Sequence, residues 1–274
     1  MIRKLISYLI ILLTIATKAH SQAYTFRHYQ VESGLSNNAV ICSVQDKAGF
    51  MWFGTRDGLN RFDGYSFKVY RFPQNNYVHA LHIDARGTLY AGTEKDIYKY
   101  DAKSDSFHLL LSSKSFPTDD IASDGEGNIW FNAGNVLSCY SEKNKTIKTY
   151  PPEKYFWTTG ICFDKKGVMW ACTPDGFLKR YNRQDGSFTS FDMFSNPNTG
   201  NWRFISGIQY TDGDKIFVST SKAGFKIFDI KTLSYKDVAL CCDEVEDLFI
   251  HCSLQVSATE IWIGTETGIL SYNT

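Results

Sequence analysis

The 274-residue chain is 43% hydrophobic and 21% charged, with 29 basic against 29 acidic side chains. That apolar share excludes a disordered chain, and the balanced charge argues against a nucleic-acid partner, which would need a basic face. Phe 20, Tyr 16 and Trp 6 beside 20 glycines and 6 prolines point to short strands and tight turns rather than long helices.

The first segment reads as an export signal. Arg3 and Lys4 precede a mostly apolar run from Leu5 to Ala16, and Ala19-His20-Ser21 places small residues at the −3 and −1 positions of a cleavage site. Residues 1–21 are therefore expected to be a signal peptide, with Gln22 as the mature start. The run falls short of the roughly 20 apolar residues that span a membrane. No cysteine follows it to carry a lipid, and no second apolar stretch appears downstream.

From there a repeat of about forty residues organises the chain. One aromatic anchors each unit: Trp52, Tyr90, Trp130, Trp170, Phe217 and Trp262, spaced 38 to 47 residues apart. Before the first four anchors the pattern is D-x-x-G-x-x-W/Y, from Asp46, Asp84, Asp124 and Asp164 to Gly49, Gly87, Gly127 and Gly167. Asp opening and Gly closing a four-residue segment is the preference of a tight reverse turn. Three residues after the anchor stands a Thr in five of six units. Unit three departs, reading Phe131-Asn132-Ala133. A second turn follows at Asp57-Gly58, Asp175-Gly176, Ala223-Gly224 and Thr267-Gly268, then a third strand ending in aromatic plus polar, then a short fourth.

Four short strands per unit make an antiparallel meander that must stack on its neighbours, so the expected fold is an all-β propeller of about six four-stranded blades. The blades fall at about 38–71, 78–110, 119–150, 158–191, 205–238 and 245–274, within a domain of 22–274. The six anchors are expected to pack between blades. Residues 24–29 resemble a blade's fourth strand and are a candidate for closing the ring on blade six, whose own fourth strand is missing.

Catalytic signatures are not found. His79 and His82 stand three apart, which on a strand puts them on opposite faces, so no metal site is expected. Seven cysteines at irregular spacing read as buried thiols, with Cys241 or Cys242 to Cys252 the one pairing considered. No cofactor is implied. The inter-blade loops carry Tyr77, Tyr155, Phe156, Trp157, Phe194, Trp202 and Arg203, and the turn residue Arg56 shares their face. Of these, Trp157, Trp202, Arg203, Tyr77 and Arg56 are candidate ligand-binding residues, because aromatic planes with Arg suit sugar faces and hydroxyls. Loop aromatics capping the blades are the alternative reading.

The string Gly34-Leu35-Ser36-Asn37-Asn38, with Val40, Asp46, Gly49, Trp52-Phe53-Gly54-Thr55 and Asp57-Gly58-Leu59-Asn60-Arg61-Phe62-Asp63-Gly64, resembles a two-component regulator propeller repeat. Such repeats form the periplasmic sensor region of hybrid two-component system histidine kinases of Bacteroidetes. The resemblance is close in blade one, fair in two, four and six, and degenerate in three and five. It implies a periplasmic, carbohydrate-responsive sensing module that is not itself an enzyme. It also implies an oligosaccharide ligand, a second propeller, an immunoglobulin-like domain and a homodimer partner. Seven blades are the family norm, so this six-bladed stretch is expected to be an N-terminal fragment of such a sensor, although a closed six-bladed ring stays open. A propeller enzyme such as a lyase or glycosidase, or a secreted interaction scaffold, are the other classes.

Overall fold

The turn at the head of each blade decides how that blade begins. Asp46 accepts the N–H groups of Ala48 and Phe50 at 2.9 and 3.0 Å through Oδ1, and the indole N–H of Trp52 at 2.8 Å through Oδ2. Asp124 and Asp164 repeat the arrangement, with Trp130 and Trp170 donating at 3.3 and 3.2 Å. The turn glycines sit at φ between +72° and +90°, where an L side chain is strained. The Thr after the anchor closes the next turn: Thr55, Thr93, Thr173 and Thr265 donate to the carbonyls of Gly58, Asp96, Phe177 and Gly268.

This computed structural model describes residues 25–112, 117–134, 136–152, 154, 156–195, 203–211, 213–221, 223–238 and 248–273. The expected leader, Tyr155, Trp202, Cys241 and Cys242 lie outside the described residues. Blade one comprises β1 (Val40–Gln45), β2 (Met51–Thr55), β3 (Gly58–Phe62) and β4 (Phe67–Tyr70). Blade two comprises β5 (Val78–Ile83), β6 (Leu89–Thr93), β7 (Asp96–Asp101) and β8 (Ser106–Ser112). Blade three comprises β9 (Thr118–Ser123), β10 (Asn128–Ala133), β11 (Val136–Ser141) and β12 (Thr146–Tyr150). Blade four comprises β13 (Gly160–Phe163), β14 (Met169–Cys172), β15 (Phe177–Tyr181) and β16 (Phe188–Asp192). Blade five comprises β17 (Phe204–Thr211), β18 (Lys215–Ser221), β19 (Phe225–Asp229) and β20 (Ser234–Val238). Blade six is three-stranded among the described residues, with β21 (Ile250–Gln255), β22 (Glu260–Thr265) and β23 (Gly268–Asn273).

Every blade is an antiparallel meander in chain order, and the first strands β1, β5, β9, β13, β17 and β21 follow one another around the axis of a β-propeller. Trp52, Trp130 and Trp170 point at the next blade. Trp52 meets the rings of Tyr100 and Phe107 at 5.0 and 6.0 Å, Trp130 meets Tyr181 at 5.3 Å, and Trp170 meets Phe228 at 5.5 Å. Five anchors are at most 5% exposed. Trp262 is half-buried, because its face of blade six, shared with Leu254 (55% exposed) and Ile269 (59%), points away from blade five. Glycine two residues past the anchor lets the next blade close in: a Cβ on Gly54 would lie 2.7 Å from Val78.

Residues 25–30 form no strand, in contrast to the expected ring-closing role of 24–29. Tyr29 packs edge-on against Phe62 and Phe67 at 4.9 and 5.7 Å, on the side of blade one away from blade two. Cys42, Cys139, Cys162 and Cys172 are free thiols inside the blades. Burial pushes Cys42, Cys139 and Cys172 up to about 12, so they act as small apolar side chains. Cys252 is free and exposed.

Candidate functional site

The first strands of the blades carry a common irregularity at one end of the axis. In β1, Val40 pairs with Thr55 and Cys42 with Gly54, which leaves Ile41 between them as a bulge. The same skip leaves His79, Asp119, Ser206 and His251 unpaired in β5, β9, β17 and β21. In blade four Thr159 precedes the pair Gly160–Cys172 and holds the equivalent place. A bulge re-aims the extra side chain. Here six such side chains converge on the mouth of the propeller, each eleven residues before its anchor.

Thirteen residues before the anchor stand Tyr77, Trp157, Phe204 and Phe249 in blades two, four, five and six. Tyr77 stacks on His79 at 4.0 Å and 14°, and Phe249 covers His251 at 4.8 Å. In these four blades the mouth therefore carries, as a crown, an aromatic side chain followed two residues later by a polar one. Arg56, in the second turn of blade one, lies 5.9 Å from the ring centre of Tyr77. His79 Nε2 pairs with Glu94 Oε1 at 2.9 Å. Next to them is Asp119, where desolvation holds the carboxyl above the usual carboxylate range against the opposing influence of His79, with the charge of Glu94 adding to it.

Between Asp119 and His251 the crown encloses a pocket of about 290 Å³, with Asn132, Thr159, Phe204 and Ser206 on its walls. Asn132 is fully buried. Its Nδ2 donates to the Thr158 carbonyl at 3.3 Å, and its Oδ1 has no donor among the described residues. Asn132 takes the place that is Gly in blades one, two and six, Cys in four and Ser in five. The departure of unit three from the repeat is thus a side chain at the site. Along the axis beneath lies a channel of about 640 Å³, into which Asp120 and His82 project. Asp120 accepts the N–H groups of Ile121 and Ile161 at 2.8 Å, and desolvation pushes its carboxyl up to about 7. His82 contacts Ser123 Oγ at 2.7 Å, and burial holds its imidazole down to about 4.

The residues expected from the sequence divide. Arg56 and Tyr77 meet at the crown. Trp157, 57% exposed, directly precedes the pocket residues Thr158 and Thr159. Tyr77 and Trp157, placed in inter-blade loops by the sequence, share one repeat position thirteen residues before the anchor. Arg203 does not join them. Its guanidinium is bound to Asp192 at 2.6 Å and lies over the rings of Phe177 and Phe194 at 5.5 and 5.6 Å. Phe194 is 5% exposed in the core between blades four and five, and Phe156 packs edge-on against Phe188 at 4.6 Å, so these two loop aromatics are packing residues. His79 and His82 lie on opposite sides of β5, one in the crown and one in the channel. Sequence reasoning missed Asp119, Asn132, Thr159, Ser206 and His251. For Asp119, Thr159, Ser206 and His251 the signal was present, as polar identity varying at a fixed offset of eleven before the anchor, and for Asn132 it was the departure of unit three from the repeat.

A family model described as two component regulator propeller matches residues 34–57, the head of blade one. A stretch of 59 residues, 22% of the chain, is 49% identical to Histidine kinase P4 of Formosa agariphila and takes in 4% of that protein's length. Two solved extracellular domains of hybrid two component systems from B. thetaiotaomicron superpose with TM-scores of 0.77 and 0.61, at 20% and 22% identity, covering 92% and 91% of this chain. The chain spans 34% and 42% of their lengths. Virginiamycin B lyase from Staphylococcus aureus superposes with a TM-score of 0.69 at 16% identity, over 86% of this chain and 80% of the lyase. Identities this low speak to fold. Among the described residues no helix is long and apolar enough to cross a membrane. The chain thus carries a two-component regulator propeller repeat in its first blade, on a β-propeller whose fold it shares with extracellular domains of hybrid two component systems.

Proposed function

We propose that the chain is the ligand-sensing propeller module of a periplasmic hybrid two-component sensor, that its ligand is an oligosaccharide, and that it turns over no substrate. The observation that carries this reading is the crown: in four blades a stackable aromatic stands two residues before a polar side chain at a concave mouth, on a scaffold that fixes their geometry. Residues 1–21 serve as its export signal, and the exported product begins at Gln22. N-terminal sequencing that found Arg3 in the exported protein would overturn that assignment. The partners in a complete sensor are a second propeller, an immunoglobulin-like domain and a second copy of the chain.

Calorimetric titration against an oligosaccharide panel tests the reading. Tyr77→Ala and Trp157→Ala should each weaken binding about tenfold, the loss of one stacked ring. Both variants should keep the wild-type unfolding midpoint, since neither ring lies in a seam between blades. A panel without a binder, or affinities unchanged in both variants, refutes a sugar site at this mouth. Mass spectrometry of the bound sugar after prolonged incubation should show it intact, and cleavage would establish an enzyme instead.

A further inference from the structure

We propose that the pocket beside Asn132 takes the ammonium group of an amino sugar. The inference rests on the carbohydrate reading above and narrows it to one chemical class. Its basis is a census of protons at the pocket wall. Thr159 Oγ1 donates to the Ile205 carbonyl at 3.0 Å, and Ser206 Oγ donates to the Ile250 carbonyl at 2.5 Å. Thr158 Oγ1 is directed at the carbonyls of Gly160 and Cys172, at 3.3 and 3.1 Å. Each hydroxyl proton is thereby spent on backbone, so these hydroxyls have only lone pairs left to offer a ligand.

Asn132 adds a further acceptor. The Thr158 carbonyl beside Nδ2 fixes the amide orientation, because the flipped amide would set oxygen against oxygen. Oδ1 is therefore the acceptor left over: it is buried, has no donor among the described residues, and belongs to a side chain on the pocket wall. Folding has already stripped it of water, so a new hydrogen bond adds no desolvation cost on the acceptor's side.

Charge points the same way. Glu94 and His79 satisfy each other at 2.9 Å, whereas the Asp119 carboxylate has neither a hydrogen bond nor an ion pair among the described residues. His251 is the one group at the wall with a ring N–H to give, and it is exposed at the rim. Phe204 and Phe249, with centroids 6.3 Å apart, supply π faces on the same wall. Three-donor ammonium satisfies this set, with a carboxylate for its charge, an amide oxygen for its proton and aromatic faces beside it. A volume of about 290 Å³ suits a single sugar ring.

Ligand-observed NMR and calorimetry near neutral pH test the proposal, with glucosamine and galactosamine compared against glucose, galactose and N-acetylglucosamine. The amino sugars should bind at least about tenfold more tightly than the neutral ones. Asp119→Asn, at an exposed position that leaves the fold intact, should abolish that preference. Asn132→Ser, which withdraws the amide oxygen, should weaken the amino sugars more than the neutral ones. Equal binding of neutral and amino sugars overturns the ammonium site and leaves the carbohydrate reading standing. A preference that survives Asp119→Asn overturns it as well, by sending the amine elsewhere. Failure of every monosaccharide overturns the proposal, while the oligosaccharide panel decides separately whether the broader reading falls with it.

Discussion

Asp46, Asp124 and Asp164 each do two jobs with one carboxylate, capping turn amides through one oxygen and holding the anchor indole through the other. Asp120 is the opposite case, a carboxyl in the axial channel whose desolvation raises it to about 7. Its folded value lies above its unfolded one, so its contribution to stability is complete at low pH and is lost as pH rises. The window runs from about pH 4 to about pH 7, with a loss on the order of 2 kcal/mol once solvent in the channel is allowed for. Relative to Asp120→Asn, the wild-type unfolding midpoint should therefore fall across that window. Parallel curves for the two proteins would show that Asp120 is ionised throughout. His82 acts with the other sign: held down to about 4, it withdraws stability as pH drops below about 6.5. The comparison must be made against the single variant for that reason.

At the level of the blade, the turn and its anchor form one hydrogen-bonded unit, and the Thr closing the second turn is the other fixed point. Asp164 is 8% exposed and serves Lys166, Val168 and Trp170. Asp164→Ala should cost on the order of 2–3 kcal/mol, since buried donors are left without a partner. Thr173→Val should cost about 1 kcal/mol, through its paired bonds with Phe177. Denaturant midpoints at constant slope check both, and equal effects from the two would mean that the indole bond contributes nothing. These units were legible in the sequence, because each is local, with partners two to six residues apart.

Across the whole molecule, the seams between blades carry the apolar core, and the anchors differ according to whether a neighbouring blade covers them among the described residues. Trp170 is fully buried between blades four and five, so Trp170→Ala should cost about 3–5 kcal/mol. Trp262→Ala, on the half-buried face of blade six, should cost about half as much. Equal losses for the two would show Trp262 to be as well covered as Trp170. Leu254 and Ile269 share that face, and their exposure distinguishes it from the five closed seams.

The repeat period, the turns, the anchors and the all-β propeller followed from the sequence by itself, because strand alternation and tight-turn chemistry are short-range and recur every forty or so residues. Of the candidate ligand-binding residues, Tyr77, Arg56 and Trp157 stand at the mouth, whereas Arg203 is paired with Asp192 and lies over Phe194 in the seam between blades four and five. Only the tertiary structure decided which side chains meet there. Asp119, Asn132, Thr159, Ser206 and His251 come from four blades and are separated by up to 132 positions in the chain, from 119 to 251. Closure of the blades around an axis, together with a bulge that turns one residue per first strand inward, is what brings them to a single pocket.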